Sequence, residues 1–142
     1  MDVVSQGVIA HPVQAVWAVL SDFSALKVWH PSIVTCEADG SGTGALRRVT
    51  LTNGRSATER LDELDAERHV LAYSVTESSR PATVGVAARI TLTPATKEST
   101  MVEWVVSVPE SDDLTEEIVG GMRSYYPMRI QNLADAVERS VG

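Results

Sequence analysis

The last thirty residues constrain this chain more than any other stretch. Between Asp112 and Val141, Ile118, Met122, Tyr125 or Tyr126, Arg129 or Ile130, Leu133 and Val137 recur at helical spacing. Asp113 and Glu116 are placed as a capping signal at its start. At about 1.5 Å per residue such a helix runs roughly 40 Å, the span of a small domain. A helix with a single apolar stripe needs a broad apolar surface to lie on. The chain before it reads mostly as strands, so the segment predicts a curved sheet around one long helix, with a cavity between them.

Ahead of that helix, residues 3–10 read as an opening strand. Pro12 stands where a helix begins, and Val13, Val16, Trp17 and Leu20 share one of its faces. A second short helix is expected over Ala25 to Trp29, stopped at His30 because the residue before Pro31 is pushed out of the helical region. From Ile33 the period changes to two. Strands are expected at 33–39, 44–52, 57–65, 69–77, 83–93 and 100–108, with turns such as Gly40 to Gly44 and Asn53-Gly54 between them. Short connections make this an antiparallel meander, and the whole an α+β layout of about seven strands with helices on one face.

The 142 residues suit a single domain spanning 1–142. The net charge of −7 argues against nucleic acid or an anionic membrane as partner. No run approaches the roughly 18 apolar residues of a membrane span, and the N-terminus is too polar for a signal peptide. The lone Cys36 suits a reducing cytoplasm and alternates with Val34 and Ala38, as a buried small hydrophobe would. Three scattered histidines offer no metal spacing, and no cofactor is expected. The glycines from Gly40 to Gly44 lead into a strand, so they read as a turn and not as a phosphate loop.

Alternation along each strand assigns the inner faces. Val84, Val86, Ala88, Ile90 and Leu92 form one, and Val102, Trp104, Val106 and Val108 another. Leu71, Tyr73 and Val75 point inward, Val49 and Leu51 share a face with Arg47, and Leu61 shares one with Glu59 and Glu63. An apolar interior thus receives Arg47, Glu59, Tyr73 and the indole of Trp104. Charges there must be paired or wet. Pairing across Asn53-Gly54 would bring position 59 near 49, within diagonal reach of Arg47. The two then form either a structural ion pair or the wall of a solvated pocket.

Several segments together resemble a known family. They are Ala10-His-Pro-Val-Gln-Ala-Val-Trp-Ala-Val-Leu20-Ser-Asp-Phe23, Trp29-His-Pro31, Gly44-Ala-Leu-Arg47 and Glu59-Arg-Leu-Asp-Glu-Leu-Asp65. Across essentially the whole chain they resemble the START-like, or SRPBCC, superfamily of polyketide cyclase/dehydrase proteins, lipid-transfer proteins and the birch pollen allergen. The plant abscisic-acid receptors are a closer echo, through Gly44 to Val49, Glu59 to Leu71 and Val105 to Glu110. Their gate loop falls on Asn53 to Ala57, their latch near Ser79-Arg80-Pro81, and their pocket glutamate on Glu59. Their hormone-binding lysine falls on Val34, their gate leucine and proline on Arg55 and Ser56, and their pocket asparagine on Arg129. The resemblance therefore implies a helix-grip fold and a ligand cavity with two entrance loops, without abscisic-acid recognition.

The chemical candidates follow. Glu59 in a partly apolar cavity is the expected general acid or base, or else a mere partner of Arg47. Arg47 is a candidate for a substrate carboxylate or an enolate oxygen. Tyr73 and Tyr125 are hydrogen-bond donors or simple packing, and His30 is a proton shuttle at the cavity mouth or a capped surface residue. Trp104, Val34, Leu51, Val86, Ala88, Met122, Tyr125 and Arg129 are the expected ligand-binding set. Gly120-Gly121 and Pro127 should loosen and kink the long helix. The favoured expectation is a cofactor-free cyclase or dehydratase for a polyketide-like or conjugated carbonyl compound, as monomer or homodimer. The alternative is a non-catalytic carrier or sensor of a hydrophobic or aromatic small molecule.

Overall fold

The computed structural model describes residues 1–110 and 116–141. Asp113, half of the expected capping signal, lies outside them. The elements are β1 (Asp2–Ile9), α1 (Val13–Leu20), a 3-10 turn (Phe23–Ala25), α2 (Leu26–Trp29), β2 (Ile33–Asp39), β3 (Leu46–Leu51) and β4 (Ser56–Asp65). β5 (Val70–Ser78), a second 3-10 turn (Pro81–Thr83), β6 (Ala87–Thr96), β7 (Ser99–Ser107) and α3 (Glu116–Val141) complete the described chain.

All seven strands join one antiparallel sheet in the order β1-β7-β6-β5-β4-β3-β2. The last strand therefore closes onto the first, while β2 to β7 follow as hairpins. The sheet's concave face holds α3, whose buried stripe is Val119, Arg129, Ile130, Leu133, Ala136 and Val137. Leu133 and Val137 are fully enclosed, each contributing about 1.5–3 kcal/mol by removal from water. Gly7 on β1 allows the closest approach: a Cβ there would stand 3.0 Å from Ile130 Cγ2. The sheet is thus bare of side chain at the point where the helix crosses it. Trp17 and Leu20 of α1, with Phe23, Leu26 and Trp29, plug the open end of the grip.

The structure departs from the alternation pattern in three places. Residues 83–86 are not strand: Val84 is exposed, and Gly85 has a φ of +91°. Val86, Ala88, Ile90 and Leu92 are buried as expected. Glu63 leaves the inner face because the β4–β5 register shifts between Leu61 and Glu63. It meets Arg89 on the outer surface, with Arg89 Nη1 donating to Glu63 Oε1 at 2.7 Å. The third departure is at Val34, 44% exposed, where the β2–β3 register shifts between Ile33 and Thr35. The bulge turns Ile33 inward and Val34 out, so Val34, expected on the cavity wall, lies on the surface instead. Cys36 is half-buried, not enclosed. α3 continues without a break through Gly120, Gly121 and Pro127. No described helix is long and apolar enough to cross a membrane.

Candidate functional site

The β3–β4 hairpin sets the acidic corner of the site. It turns at Asn53-Gly54, where Gly54 takes a φ of +84° and its N–H donates to the Leu51 carbonyl at 3.0 Å. That turn makes Arg47 and Glu59 direct cross-strand partners, where the sequence had suggested a diagonal pair. Arg47 Nε donates to Glu59 Oε1 at 2.7 Å, and Nη1 donates to the Phe23 carbonyl at 3.1 Å. The guanidinium lies 4.0 Å from the Phe23 ring centroid and 5.0 Å from that of Tyr73. Arg47 is buried and gives two of its donors to these protein acceptors. It clamps the carboxylate, and among the described residues Glu59 Oε2 accepts no hydrogen bond.

A second pair faces this one. Pro31 ends α2, leaving His30 extended at the helix end. The sequence placed His30 at the cavity mouth; the structure buries it in the wall. The Ser32 N–H donates to His30 Nδ1 at 3.3 Å, so Nε2 carries the ring hydrogen and donates it to the Tyr125 hydroxyl at 2.5 Å. The hydroxyl's own hydrogen is then left for another acceptor. Burial first, then the positive charges of Arg129 and Arg47, hold the His30 pKa down at about 4, so the ring is neutral near pH 7. Burial raises the Tyr125 and Tyr73 pKa values, keeping both phenols protonated.

Between sheet and α3 lies a cavity of about 140 Å³. Val49, Ala57, Leu71 and Ile90 form its sheet wall, and Leu20, Leu26 and Ile33 part of the far side. Into it come Arg47, Glu59, Tyr73, His30, Trp104, Tyr125 and Arg129. An outer recess of about 680 Å³ adjoins it, bounded by Asn53, Arg55 and Arg80 on two loops and by Glu117 and Met122 on α3. Leu51, Tyr125 and Tyr126 border both spaces and form the partition.

The chain matches, over residues 1–138, the family described as polyketide cyclase / dehydrase and lipid transport. It belongs to that family. The abscisic acid receptor PYL6 of Arabidopsis thaliana is 34% identical over 70 residues, which are 45% of this chain and 33% of the receptor. The chain thus spans about a third of the length of the curated relatives it matches. The Zhui aromatase/cyclase from Streptomyces sp. R1128 superposes with a TM-score of 0.82 at 20% identity, covering 100% of this chain and 96% of that one. Norcoclaurine synthase from Thalictrum flavum, in complex with dopamine and hydroxybenzaldehyde, gives 0.76 at 17% identity, covering 99% and 86%. At those identities the two likenesses are likenesses of fold.

Within this polyketide cyclase/dehydrase fold, the expected residues divide by position. Glu59, Arg47, Tyr73, His30, Trp104, Leu51, Tyr125 and Arg129 line the inner cavity. Met122 lines the outer recess. Val86 and Ala88 are buried in the core without reaching either space. The sequence reading missed Tyr126, offered only as an alternative to Tyr125: both face the cavity because the stripe is wide at that turn. His11, against Glu138, and His69, edge-on to Trp17 at 5.5 Å, are outside it.

Proposed function

We propose that the chain is a cyclase or dehydratase that moves a proton on a small conjugated carbonyl compound held in the inner cavity. The observation that carries the reading is a clamped carboxylate, with one oxygen unbonded among the described residues, on the wall of a largely apolar cavity that also holds a phenol donor. Glu59 takes a proton from the carbon beside the substrate carbonyl. The carbonyl oxygen, becoming an enolate, accepts a hydrogen bond from Tyr125, whose hydroxyl His30 has turned toward the ligand. In a cyclisation the enolate carbon attacks a second carbonyl of the same molecule, whose C=O π bond opens to an alkoxide that takes back the proton from Glu59. In a dehydration the β-hydroxyl departs with the proton Glu59 has taken, leaving a conjugated enone and water. Arg47 holds Glu59 in place throughout, and the apolar walls fix the reacting conformer.

The second reading, a carrier, is favoured by the cavity's depth: it lies between sheet and helix, with Leu51, Tyr125 and Tyr126 between it and the outer recess. The β-hydroxy ketone 4-hydroxy-4-phenylbutan-2-one separates the two. Growth of the conjugated enone absorbance above the buffer rate supports the enzyme. An unchanged adduct in native mass spectrometry, with no enone formed, supports the carrier and removes the catalytic reading.

A further inference from the structure

We infer that the ligand of this cavity carries a carboxylate, and that Arg129 with the indole N–H of Trp104 holds it. The inference rests on the cavity being the ligand site and names the class of ligand it takes.

Three charged side chains line the cavity: Arg47, Glu59 and Arg129. The first two neutralise each other at 2.7 Å. Arg129 is 6% exposed, and among the described residues it meets no carboxylate. Its Nη1 donates to the neutral Ser32 hydroxyl at 3.3 Å, and its guanidinium lies 4.6 Å from the Tyr125 ring centroid. Its Nε is buried without an acceptor. The neutral His30 ring leaves this charge unmatched. A lone buried guanidinium is strongly unfavourable unless an anion meets it. In a chain of net charge −7, carboxylates are abundant, yet none of the described ones pairs with Arg129.

Trp104 Nε1 is the other buried donor without a partner on this cavity wall, whereas the unpaired acceptor Asn132 Oδ1 belongs to a side chain outside it. Among the described residues the inner surface thus offers one net positive charge and two fully buried N–H groups without an acceptor. A carboxylate, monoanionic with two acceptor oxygens, matches that set. A phosphate monoester would bring about two charges against a single free cation. A cavity of about 140 Å³ has room for one ring and a short substituent. Arg55 and Arg80, facing Glu117 across the outer recess, leave the approach cationic as well.

The test compares benzoate, benzamide and benzaldehyde by calorimetry on the full chain. NMR of the three tryptophan indole N–H groups and the arginine Nε–H groups follows contact. Benzoate should bind at least about tenfold more tightly than benzamide, moving the Trp104 and Arg129 signals. In Arg129→Gln that preference should vanish while benzaldehyde still binds. Circular dichroism checks that Arg129→Gln is folded, since it also loses the Ser32 bond and the Tyr125 contact, and the wild-type comparison stands without the variant. Equal binding of the three ligands, or a preference that survives Arg129→Gln, overturns the carboxylate assignment and leaves the cavity reading in place. No binding by any of them overturns both.

Discussion

His30 and Tyr125, 95 residues apart in the chain, are joined by a 2.5 Å hydrogen bond from the imidazole Nε2 to the phenol oxygen. The bond ties the end of α2 to the middle of α3 across the cavity, and it requires an unprotonated ring whose Nδ1 accepts from Ser32. Burial and two neighbouring arginines oppose protonation, so the folded state holds the His30 pKa at about 4 against an ordinary 6.5. Between those values the unfolded chain binds the proton and the folded chain does not. This contribution to stability is therefore intact above about pH 6.5 and lost as pH falls toward 4. Urea midpoints should decline across that window, and His30→Gln should flatten that part of the decline. An unchanged slope in the variant would assign the acid sensitivity to other groups.

Breaking the clamp should cost more than removing it. Arg47→Met leaves Glu59 facing an apolar wall without its partner and should destabilise the protein by about 3–5 kcal/mol in urea unfolding at pH 7. The double change Arg47→Met with Glu59→Leu should recover a large part of that loss. A double variant as unstable as the sum of the single ones would mean that the pair contributes no coupled term.

Gly7 marks the contact between β1 and the long helix. Gly7→Val places branched methyls against Ile130, whose Cγ2 already lies 3.0 Å from the position of a Cβ. The overpacking should cost about 1–3 kcal/mol and lower the thermal midpoint by several degrees. A variant as stable as wild type would show that the helix can slide on the sheet.

Pro127 is exposed inside α3 and withholds one backbone N–H from the helix ladder. Pro127→Ala restores the donor and should raise stability, by as much as about 3 kcal/mol if the surrounding helix adjusts freely. If the same change weakens ligand binding, the proline is shaping the cavity wall formed by Tyr125, Tyr126 and Arg129. If stability falls, the helix geometry around residue 127 depends on the ring.

The meander, its closure by the C-terminal helix and the Arg47–Glu59 pair were legible because alternation and helical spacing repeat over many residues. Trp104 and Tyr73 are inward for the same reason. What failed were single-residue displacements. The bulge near Val34 and the shift after Leu61 each reverse a face, and no residue at either point announces it. His30 was misplaced because a proline-terminated helix end gives no sign of which side is covered by a helix nearly a hundred residues later. That no described carboxylate meets Arg129 was equally invisible: it depends on which of them fail to reach the cavity, a fact of three-dimensional arrangement and not of pattern.

The most direct measurement is deuterium uptake from heavy water at the carbon beside the carbonyl of 4-phenylbutan-2-one, followed by NMR for wild type, Glu59→Gln and Tyr125→Phe. Wild type should exchange that position well above the buffer rate, Glu59→Gln should lose about a hundredfold or more, and Tyr125→Phe should lose less. Exchange by Glu59→Gln at the wild-type rate, or by wild type at the buffer rate, would contradict proton transfer by this carboxylate.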